Sequence, residues 1–251
     1  MANSGRTGHD RRPIRLVLGH DDLVVAEPDV AQVASLIGDP ARGTMLLGLL
    51  DGRALTATEL AWRAGVTPQT ASAHLFKLVD GGLLVVERSG RHRYFRLASV
   101  EVAECIEAIA VLAPLPRRPR DRDSEAATSL RFARTCYDHL AGRIAVRVAD
   151  ALMTAGILVP SGGEYDVSRD GERWFEEIGL DLEAARKRKR VFARSCLDWS
   201  ERRPHVAGAL GAALLDRFLG LGWLVRRESG RALRLTHSGH AELTKRLGIE
   251  L

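Results

Sequence analysis

The chain has few cysteines and no long apolar runs. Three cysteines at wide spacing occur among 251 residues. An odd, scattered set does not suit a disulfide framework, so we expect reduced thiols in the cytoplasm. No apolar run reaches the roughly 18 residues that a membrane helix needs, and the N-terminus lacks the pattern of a secretion signal. We therefore expect a cytoplasmic protein without a membrane partner.

Aromatic residues are also scarce, at 5% of the chain, whereas hydrophobic residues make up 45%. The cores must then be built mainly from aliphatic side chains, which favours packed helices. The length suits one large or two ordinary domains. Lysine and arginine exceed aspartate and glutamate by 37 to 32, a net charge of +5. Such a small excess indicates a nucleic-acid partner only where the basic residues cluster.

The motifs of common enzyme classes are missing as well. The sequence contains no glycine-rich phosphate loop, no Gly-x-Ser-x-Gly elbow and no His-Glu-x-x-His. Cys136 and His139 could act as nucleophile and base, but no third group that would orient them can be named. We predict that the protein is not an enzyme.

Residues 55–97 are the most informative part of the chain. Thr67 suits a helix N-cap and Pro68 the first helical position, so a helix should begin there and end before Gly81. A shorter helical pattern, 58–64, precedes it. This pair resembles a helix-turn-helix, whose second helix can enter the DNA major groove.

A basic hairpin follows the second of these helices. Residues 83–87 and 94–97 are predicted to be strands, with a turn at Ser89 and Gly90. The basic residues around this turn suit phosphates or the minor groove. Helix, turn, helix and hairpin together predict a winged helix-turn-helix.

Three further helices and a linker complete the predicted organisation. We expect helices over 29–37, 41–50 and 100–112. Prolines and arginines dominate the segment after them, which cannot form a packed helix. The predicted parts are a flexible N-terminal arm (1–27), a DNA-binding and dimerisation domain (28–113), a basic proline-rich linker (114–123) and a C-terminal domain (124–251).

Over roughly its first 115 residues the chain resembles the ArsR/SmtB family of bacterial repressors. The matching stretches are residues 46–50, 58–61, 64–75, 82–84 and 90–97. The resemblance implies double-stranded DNA as the partner, and a homodimer whose interface is formed by the first and last helices of the domain. Two-fold symmetry would then match a palindromic operator.

The candidate DNA contacts come from the second helix and the hairpin. Gln69 and Thr70 lie in the first helical turn, where side chains meet base edges. Ser72 and His74 match polar positions of the family's reading helix. The full set is Thr67, Gln69, Thr70, Ser72, His74, Lys77, Arg88, Arg91, His92 and Arg93.

The metal sites common in the resembled family do not match this sequence. One type uses Cys-x-Cys in the helix before the reading helix, but residues 59–63 contain no cysteine. Another type uses histidine and carboxylate ligands on the last helix, but residues 100–112 contain no histidine. Cys105 in that helix is expected to be a buried, small apolar residue.

The C-terminal half contains an internal duplication with repeats at about 131–180 and 191–251. The matching blocks are 132–136 with 192–196, 139–142 with 205–208, 156–158 with 222–224, 167–171 with 235–239, and 178–180 with 247–249. Matching order across these blocks indicates two copies of one unit. Each copy is predicted as helix, helix, strand, turn, strand and helix, which is winged-helix-like.

The repeats bring a second set of candidate residues. Cys136 and His139 would share one face of a continuous helix, and Cys196 and His205 occupy the matching places in the second copy. Thiolate and imidazole are ligands for zinc or another thiophilic ion. The alternative is that these four side chains only pack or hydrogen-bond between the repeats. No cofactor is otherwise indicated.

These observations predict a mainly α fold with small β-hairpins, an α+β arrangement of one winged helix-turn-helix and two winged-helix-like repeats. The predicted function is a dimeric, sequence-specific transcriptional repressor that releases DNA when an effector, a small molecule or a metal, binds the C-terminal domain. One alternative is a metal- or thiol-responsive repressor that uses Cys136, His139, Cys196 and His205. Another is an architectural DNA-binding protein or a protein-interaction module without an effector.

Overall fold

The fold is known from a computed structural model, which describes residues 27–114, 124–228 and 230–250. The predicted N-terminal arm (1–27) and basic linker (114–123) lie outside the described residues, apart from positions 27 and 114. Among the described residues, no helix is both long and apolar enough to cross a bilayer.

Helices and a small sheet make up the described residues before position 115. In chain order the elements are α1 (Val30–Ile37), α2 (Pro40–Gly48), β1 (Leu55–Thr56), α3 (Ala57–Ala64), α4 (Pro68–Asp80), β2 (Leu84–Ser89), β3 (His92–Leu97) and α5 (Val100–Leu112). The antiparallel sheet has the order β1-β3-β2. The predicted winged helix-turn-helix is confirmed, and β1 is the element that the sequence analysis missed.

Local sequence signals fix the two central helices. Thr56 and Glu59 form a reciprocal capping box at the start of α3, and Gly65 ends this helix in the left-handed conformation. The Thr67 side chain caps α4 by accepting a hydrogen bond from the Thr70 amide. Because both caps are local, the sequence alone placed these helices to within one residue.

One hydrophobic core holds this winged unit together. Its largest fully buried members lie in α2 or directly after it, in α3, in α4 and in the sheet: Met45, Leu46, Leu49, Leu50, Leu60, Leu75, Leu78, Leu84 and Leu97. Aliphatic side chains dominate, as the low aromatic content required. The face of α4 opposite its buried residues points away from this core.

The rest of the chain repeats one order of elements: helix, hairpin, helix, hairpin, helix. The first copy is α6 (Glu125–Phe132), β4 (Arg134–Cys136), β5 (His139–Ala141), α7 (Arg143–Thr154), β6 (Leu158–Ser161), β7 (Glu164–Val167) and α8 (Arg169–Glu177). The second is α9 (Leu182–Arg186), β8 (Arg194–Leu197), β9 (Pro204–Ala207), α10 (Gly208–Gly220), β10 (Leu224–Arg226), β11 (Leu233–Leu235) and α11 (His237–Leu247).

Each copy contains a hairpin that the sequence analysis had assigned to a helix. Cys136 and His139 do not share a helix face, because they are opposite each other across the β4–β5 hairpin. Tyr137, between them, has a left-handed φ of 57°. Side chains three apart become neighbours in a helical turn and also across a two-residue hairpin loop, so the spacing alone could not distinguish the two.

Equivalent glycines follow the first hairpin of each copy. Gly142 and Gly208 have φ values of 89° and 79°. A Cβ atom at these positions would lie 2.7 Å from the Arg131 carbonyl oxygen and 2.8 Å from the Val191 carbonyl oxygen, respectively. The same conformation and the same close approach thus recur in both copies.

The first hairpin of each copy pairs with the other copy. Strand β8 of the second copy pairs with β7 of the first through Glu164 and Arg194, which joins β6, β7, β8 and β9 into one sheet. Reciprocally, Arg134 in β4 pairs with Ala232 beside β11. One continuous hydrophobic core contains residues from both copies. The first hairpins, β4–β5 and β8–β9, therefore meet at the junction of the copies.

Candidate functional site

The outer face of α4 is open to solvent. Only three of its 13 residues are buried, namely Ala71, Leu75 and Leu78. Gln69 and Thr70 are exposed in the first turn, as are Ser72 and Lys77 further along. No described part of the C-terminal half covers these side chains, so a duplex can reach them.

Three of the predicted residues on this helix or at its start also have local partners. The Thr67 hydroxyl lies 2.9 Å from that of Thr70, and the Ser72 hydroxyl donates to the Pro68 carbonyl at 2.9 Å. His74 is half-buried, with its Nδ1 3.4 Å from an Arg42 nitrogen. Its ring therefore faces α2 more than solvent, which makes it the least accessible residue of the predicted set.

The hairpin β2–β3 carries an exposed basic tip. Arg88 and Arg93 are directly opposite each other in the ladder, and both are exposed. Like charges at such a pair destabilise a sheet. Arg91 and His92 lie next to them, with Arg91 Nε 3.5 Å from His92 Nε2. This positive charge has no benefit for the isolated fold, but it suits a polyanionic partner.

The second candidate set comes together at the junction of the copies. One donor atom from each of Cys136, His139, Cys196 and His205 lies within 4.8 Å of all the others. The two Sγ atoms are 4.0 Å apart, and the two histidine Nε2 atoms are 3.2 Å apart. Among the described residues, this is the cluster whose donor atoms could hold a metal ion.

Strand register explains why these four side chains meet. Cys136 is paired with His139 across β4 and β5, and Cys196 is paired with His205 across β8 and β9. Each hairpin thus supplies one thiol and one imidazole from a cross-strand pair. Cys136, His139 and His205 are at most 4% exposed, and Cys196 is half-buried.

Carboxylates lie behind both imidazoles. Asp138 Oδ1 is 3.3 Å from His139 Nδ1, and Asp198 Oδ2 is 3.9 Å from His205 Nδ1. Arg190 forms an ion pair with Asp138, and Arg134 with Asp198. The sequence analysis did not anticipate either arginine, since each is distant in sequence from its carboxylate.

The Arg134–Asp198 ion pair is fully buried, with Nη2 and Oδ2 2.8 Å apart. Asp198 also accepts hydrogen bonds from the Gly142 amide at 2.7 Å and the Ser200 hydroxyl at 2.7 Å. Burial raises the pKa of Asp198, but Arg134 and these donors lower it more, to well below its usual range. In the same way, hydrogen bonds from His139 and Arg190 outweigh burial and lower the pKa of Asp138 to about 2.

The two thiols have opposite pKa shifts. Their mutual hydrogen bond and burial raise the pKa of Cys136 well above its ordinary value. The same contact lowers the pKa of Cys196, and hydrogen bonds from His139 and His205 add to this against the opposing effect of burial. Burial lowers the pKa of His139, but its hydrogen bonds to Asp138 and Cys196 raise it overall. Cys196 is thus the more readily ionised thiol.

A cavity of about 280 Å³ separates this cluster from α5. Cys136, His139 and Cys196 form part of its wall. On the opposite wall, Glu104 of α5 makes an ion pair with Arg194 of β8 at 2.5 Å. The third cysteine, Cys105 of α5, is exposed, so the expectation that it is buried is wrong.

Comparisons with known proteins agree with this architecture. Residues 37–87 match the family named Helix-turn-helix domain (HTH_20). The HTH-type transcriptional regulator YdfF of Bacillus subtilis strain 168, described as uncharacterized, is 45% identical over 224 residues, which cover 89% of this chain and 99% of that protein.

Two solved structures with similarity to this chain each cover about a third of it. The homodimeric winged helix-turn-helix DNA-binding domain of Mb0332 from Mycobacterium bovis, described as a possible ArsR-family regulator, is 31% identical over 33% of this chain and 76% of its own, with a TM-score of 0.31. The cadmium sensor CMTR from Mycobacterium tuberculosis is 30% identical over 36% of this chain and 95% of its own, with a TM-score of 0.30.

The match to the helix-turn-helix family falls on the capped helices and the first strand of the wing. The relative that is 45% identical spans nearly the whole chain and is itself a regulator of this type. The predictions of a DNA-binding regulator and of a protein that is not an enzyme are thereby confirmed. The chain belongs to the family of HTH-type transcriptional regulators, and its winged domain resembles those of ArsR/SmtB proteins.

Proposed function

We propose that the protein is a dimeric, sequence-specific repressor that reads its operator with α4 and holds the flanking phosphates with the β2–β3 hairpin. The observation that carries this proposal is the exposed polar face of α4 beside an exposed basic hairpin tip. Gln69 and Thr70 would contact base edges, because they lie in the first turn of the helix that enters the major groove. Thr67, Ser72, Lys77 and the hairpin residues Arg88, Arg91, His92 and Arg93 would contact phosphates or flanking bases.

Dimerisation through α1 and α5 is part of the same proposal. Helix α1 buries none of its residues, and its Val30 is 71% exposed. On α5, Ile109 and Leu112 are also exposed, Leu112 to 84%. Apolar side chains this exposed favour a protein contact. A two-fold dimer would place two copies of α4 in successive major grooves of a palindromic site, and light scattering tests the stoichiometry.

We propose that the effector binds the C-terminal half. This half makes ion pairs with the proposed dimerisation helix through Arg194 to Glu104 and through Arg231 to Glu107. A change of structure in the repeats would therefore alter the position of α5 and the spacing of the two reading helices. Effector binding of this kind acts by favouring one of two dimer geometries.

The experiment is to map the bound genomic sites and then measure binding to the identified operator and to random DNA at one salt concentration. The double variant Gln69→Ala, Thr70→Ala should lose about 1–3 kcal/mol per base contact, while its affinity for random DNA stays unchanged. Asp80→Ala, an exposed change at the other end of α4, is the matched control.

Two outcomes would contradict the proposal. Equal affinity of the wild type for operator and random DNA would indicate an architectural protein. The absence of any DNA binding at low salt would instead indicate a protein-interaction module.

A further inference from the structure

We propose that Cys136, His139, Cys196 and His205 form a closed tetrahedral site for a thiophilic divalent cation of the zinc class, and that this ion is the signal. The site lies between the two repeats, outside the helices α3 and α5, in which the resembled family holds its metals. The ion site stands on its own geometry. Only its effect on DNA rests on the proposed function.

The distances between the donor atoms match the edges of a metal tetrahedron. Zinc binds sulfur at about 2.3 Å and imidazole nitrogen at about 2.0–2.1 Å, so a tetrahedron has an S–S edge of about 3.8 Å and an N–N edge of about 3.3 Å. The Sγ atoms of Cys136 and Cys196 are 4.0 Å apart, and the Nε2 atoms of His139 and His205 are 3.2 Å apart. Since one donor atom from each of the four residues also lies within 4.8 Å of the others, one ion can bind all four side chains after small side-chain movements.

The orientation of the two imidazoles also favours an ion. Their Nε2 atoms lie 3.2 Å apart, His139 Nδ1 lies 3.3 Å from Asp138, and His205 Nδ1 lies 3.9 Å from Asp198 without a hydrogen bond. A neutral imidazole has one N–H and one lone pair. If both rings carry the proton on Nδ1, both Nε2 lone pairs point to the same place, which is repulsive unless a cation lies between them. A carboxylate behind a ligating histidine, as Asp138 is behind His139, is the usual second contact of a zinc site.

Charge balance supports the same conclusion. Two thiolates and two neutral imidazoles carry a charge of −2, which a divalent cation neutralises. The neighbouring carboxylates are already balanced, since Asp138 pairs with Arg190 and Asp198 with Arg134. Binding would displace the thiol protons of Cys136 and Cys196 into solvent. Binding therefore exchanges two protons for one divalent cation, and the buried cluster stays neutral with the ion in place.

The set of ligands selects the chemical class of the ion. Two thiolates and two imidazoles in tetrahedral positions suit zinc and other soft d¹⁰ cations, whereas magnesium and calcium prefer oxygen ligands. Four protein ligands leave no open coordination position, which indicates a structural or sensing site and not a catalytic one.

A short path links this site to the DNA-binding half. Cys196 is two residues from Arg194, whose guanidinium is paired with Glu104 of α5. An ion that ties β8 to β4 would fix Arg194, and through it the position of α5. The cavity between α5 and the cluster leaves room for this displacement and for entry of the ion.

Cobalt(II) titration of the full chain, purified without a histidine tag and treated with chelator under reducing conditions, tests the ion site. We expect one cobalt per chain with the intense visible bands of a tetrahedral complex and thiolate charge transfer, both displaced by zinc. Cys196→Ser and His205→Gln should abolish these bands. Cys105→Ser, which removes the exposed cysteine, should leave them unchanged. Asp138→Asn should weaken binding by about 10–100-fold.

Three results would overturn the site: no tetrahedral spectrum, a spectrum that survives Cys196→Ser, or a Cys136–Cys196 disulfide in protein isolated from cells with its thiols trapped. Unfolding of the metal-free variants by circular dichroism shows whether each is folded. Because a variant could lose the site by misfolding, the wild type provides a second measurement. Its unfolding temperature should rise with zinc and fall again with chelator.

The regulatory part is tested on the operator. Zinc should weaken operator binding of the wild type by about 5–150-fold, the usual range of allosteric coupling. Glu104→Gln should keep the cobalt spectrum but lose most of this effect, whereas Glu101→Gln on the same helix should retain it. Unchanged operator affinity with zinc bound would refute the sensing role. If the protein has no operator preference with or without zinc, the proposed function fails while the ion site stands.

Discussion

The two halves of the chain use similar elements but place their polar residues in opposite ways. In the winged half, α4 buries three of 13 residues and exposes its polar face. In the C-terminal half, α10, which also precedes a hairpin, buries eight of 13 residues. Helix α4 can therefore contact another molecule, whereas most of α10 is packed in the core.

The hairpins show the same contrast. The β2–β3 tip exposes Arg88, Arg91 and Arg93, with two of them opposite each other. The β4–β5 hairpin buries Cys136 and His139 against the other copy. Uncompensated charge at the surface points to an external polyanion, while polar groups gathered in the interior compensate one another. The same kind of element can thus present a surface to DNA or build an internal site.

The largest expected effect is on stability, in the C-terminal half. Asp198→Ala leaves Arg134 charged, buried and without its ion pair, so the free energy of unfolding of the metal-free protein should fall by about 3–5 kcal/mol. Chemical denaturation of the chelator-treated protein measures this loss.

An exposed pair provides the control for that loss. Asp170 and Arg173 form an ion pair in which the side chains are 72% and 74% exposed. Asp170→Ala should cost at most about 1 kcal/mol. Equal losses for the two aspartate variants would show that the junction between the copies does not depend on its internal polar contacts.

A smaller loss of stability is expected for two equivalent glycine substitutions, and it should be equal in the two copies. Gly171 and Gly239 are equivalent first-turn residues, and a Cβ atom would lie 2.3 Å from the Ile157 carbonyl oxygen and 2.2 Å from the Trp223 carbonyl oxygen, respectively. Alanine at either position should destabilise by about 1–3 kcal/mol, because the helix must move away from the backbone just before β6 or β10. Thermal unfolding of each variant measures this.

Gly220 in α10 is the matched glycine, since a Cβ atom there would meet nothing within 4 Å. Gly220→Ala should be neutral or stabilising by up to about 1 kcal/mol. A large difference between Gly171→Ala and Gly239→Ala would argue against the structural equivalence of the copies.

The smallest effect on stability is expected for a substitution in the wing, which should nevertheless weaken DNA binding. Arg93→Ala removes one of two facing cations, so the free energy of unfolding should change by less than about 0.5 kcal/mol. In contrast, operator and random DNA should both bind more weakly, and the slope of log affinity against log salt should fall by about 0.9. Arg173→Ala should leave the slope unchanged. If Arg93→Ala keeps the wild-type slope, the wing does not contact phosphate.

Local signals allowed the sequence to predict much of the winged half. Thr67 with Pro68 marked the start of α4, and Val100–Leu112 was predicted with the observed bounds. Caps and turns act within a few residues, which is why one sequence sufficed. Strand β1 was missed because two residues carry no periodicity, and only pairing of Leu55 with Phe95 makes them a strand.

The duplication and the identity of its cysteines and histidines were also determined by the sequence, because repetition is visible without coordinates. Which residues meet was decided only by the tertiary structure. Cys136 and Cys196 are 60 positions apart, and they meet because each hairpin packs against the other copy and because strand register turns both thiols inward. Arg134 with Asp198 and Arg194 with Glu104 are likewise products of packing. Local sequence sets the conformation of a segment, but the burial of apolar surface from distant segments decides which polar side chains face each other.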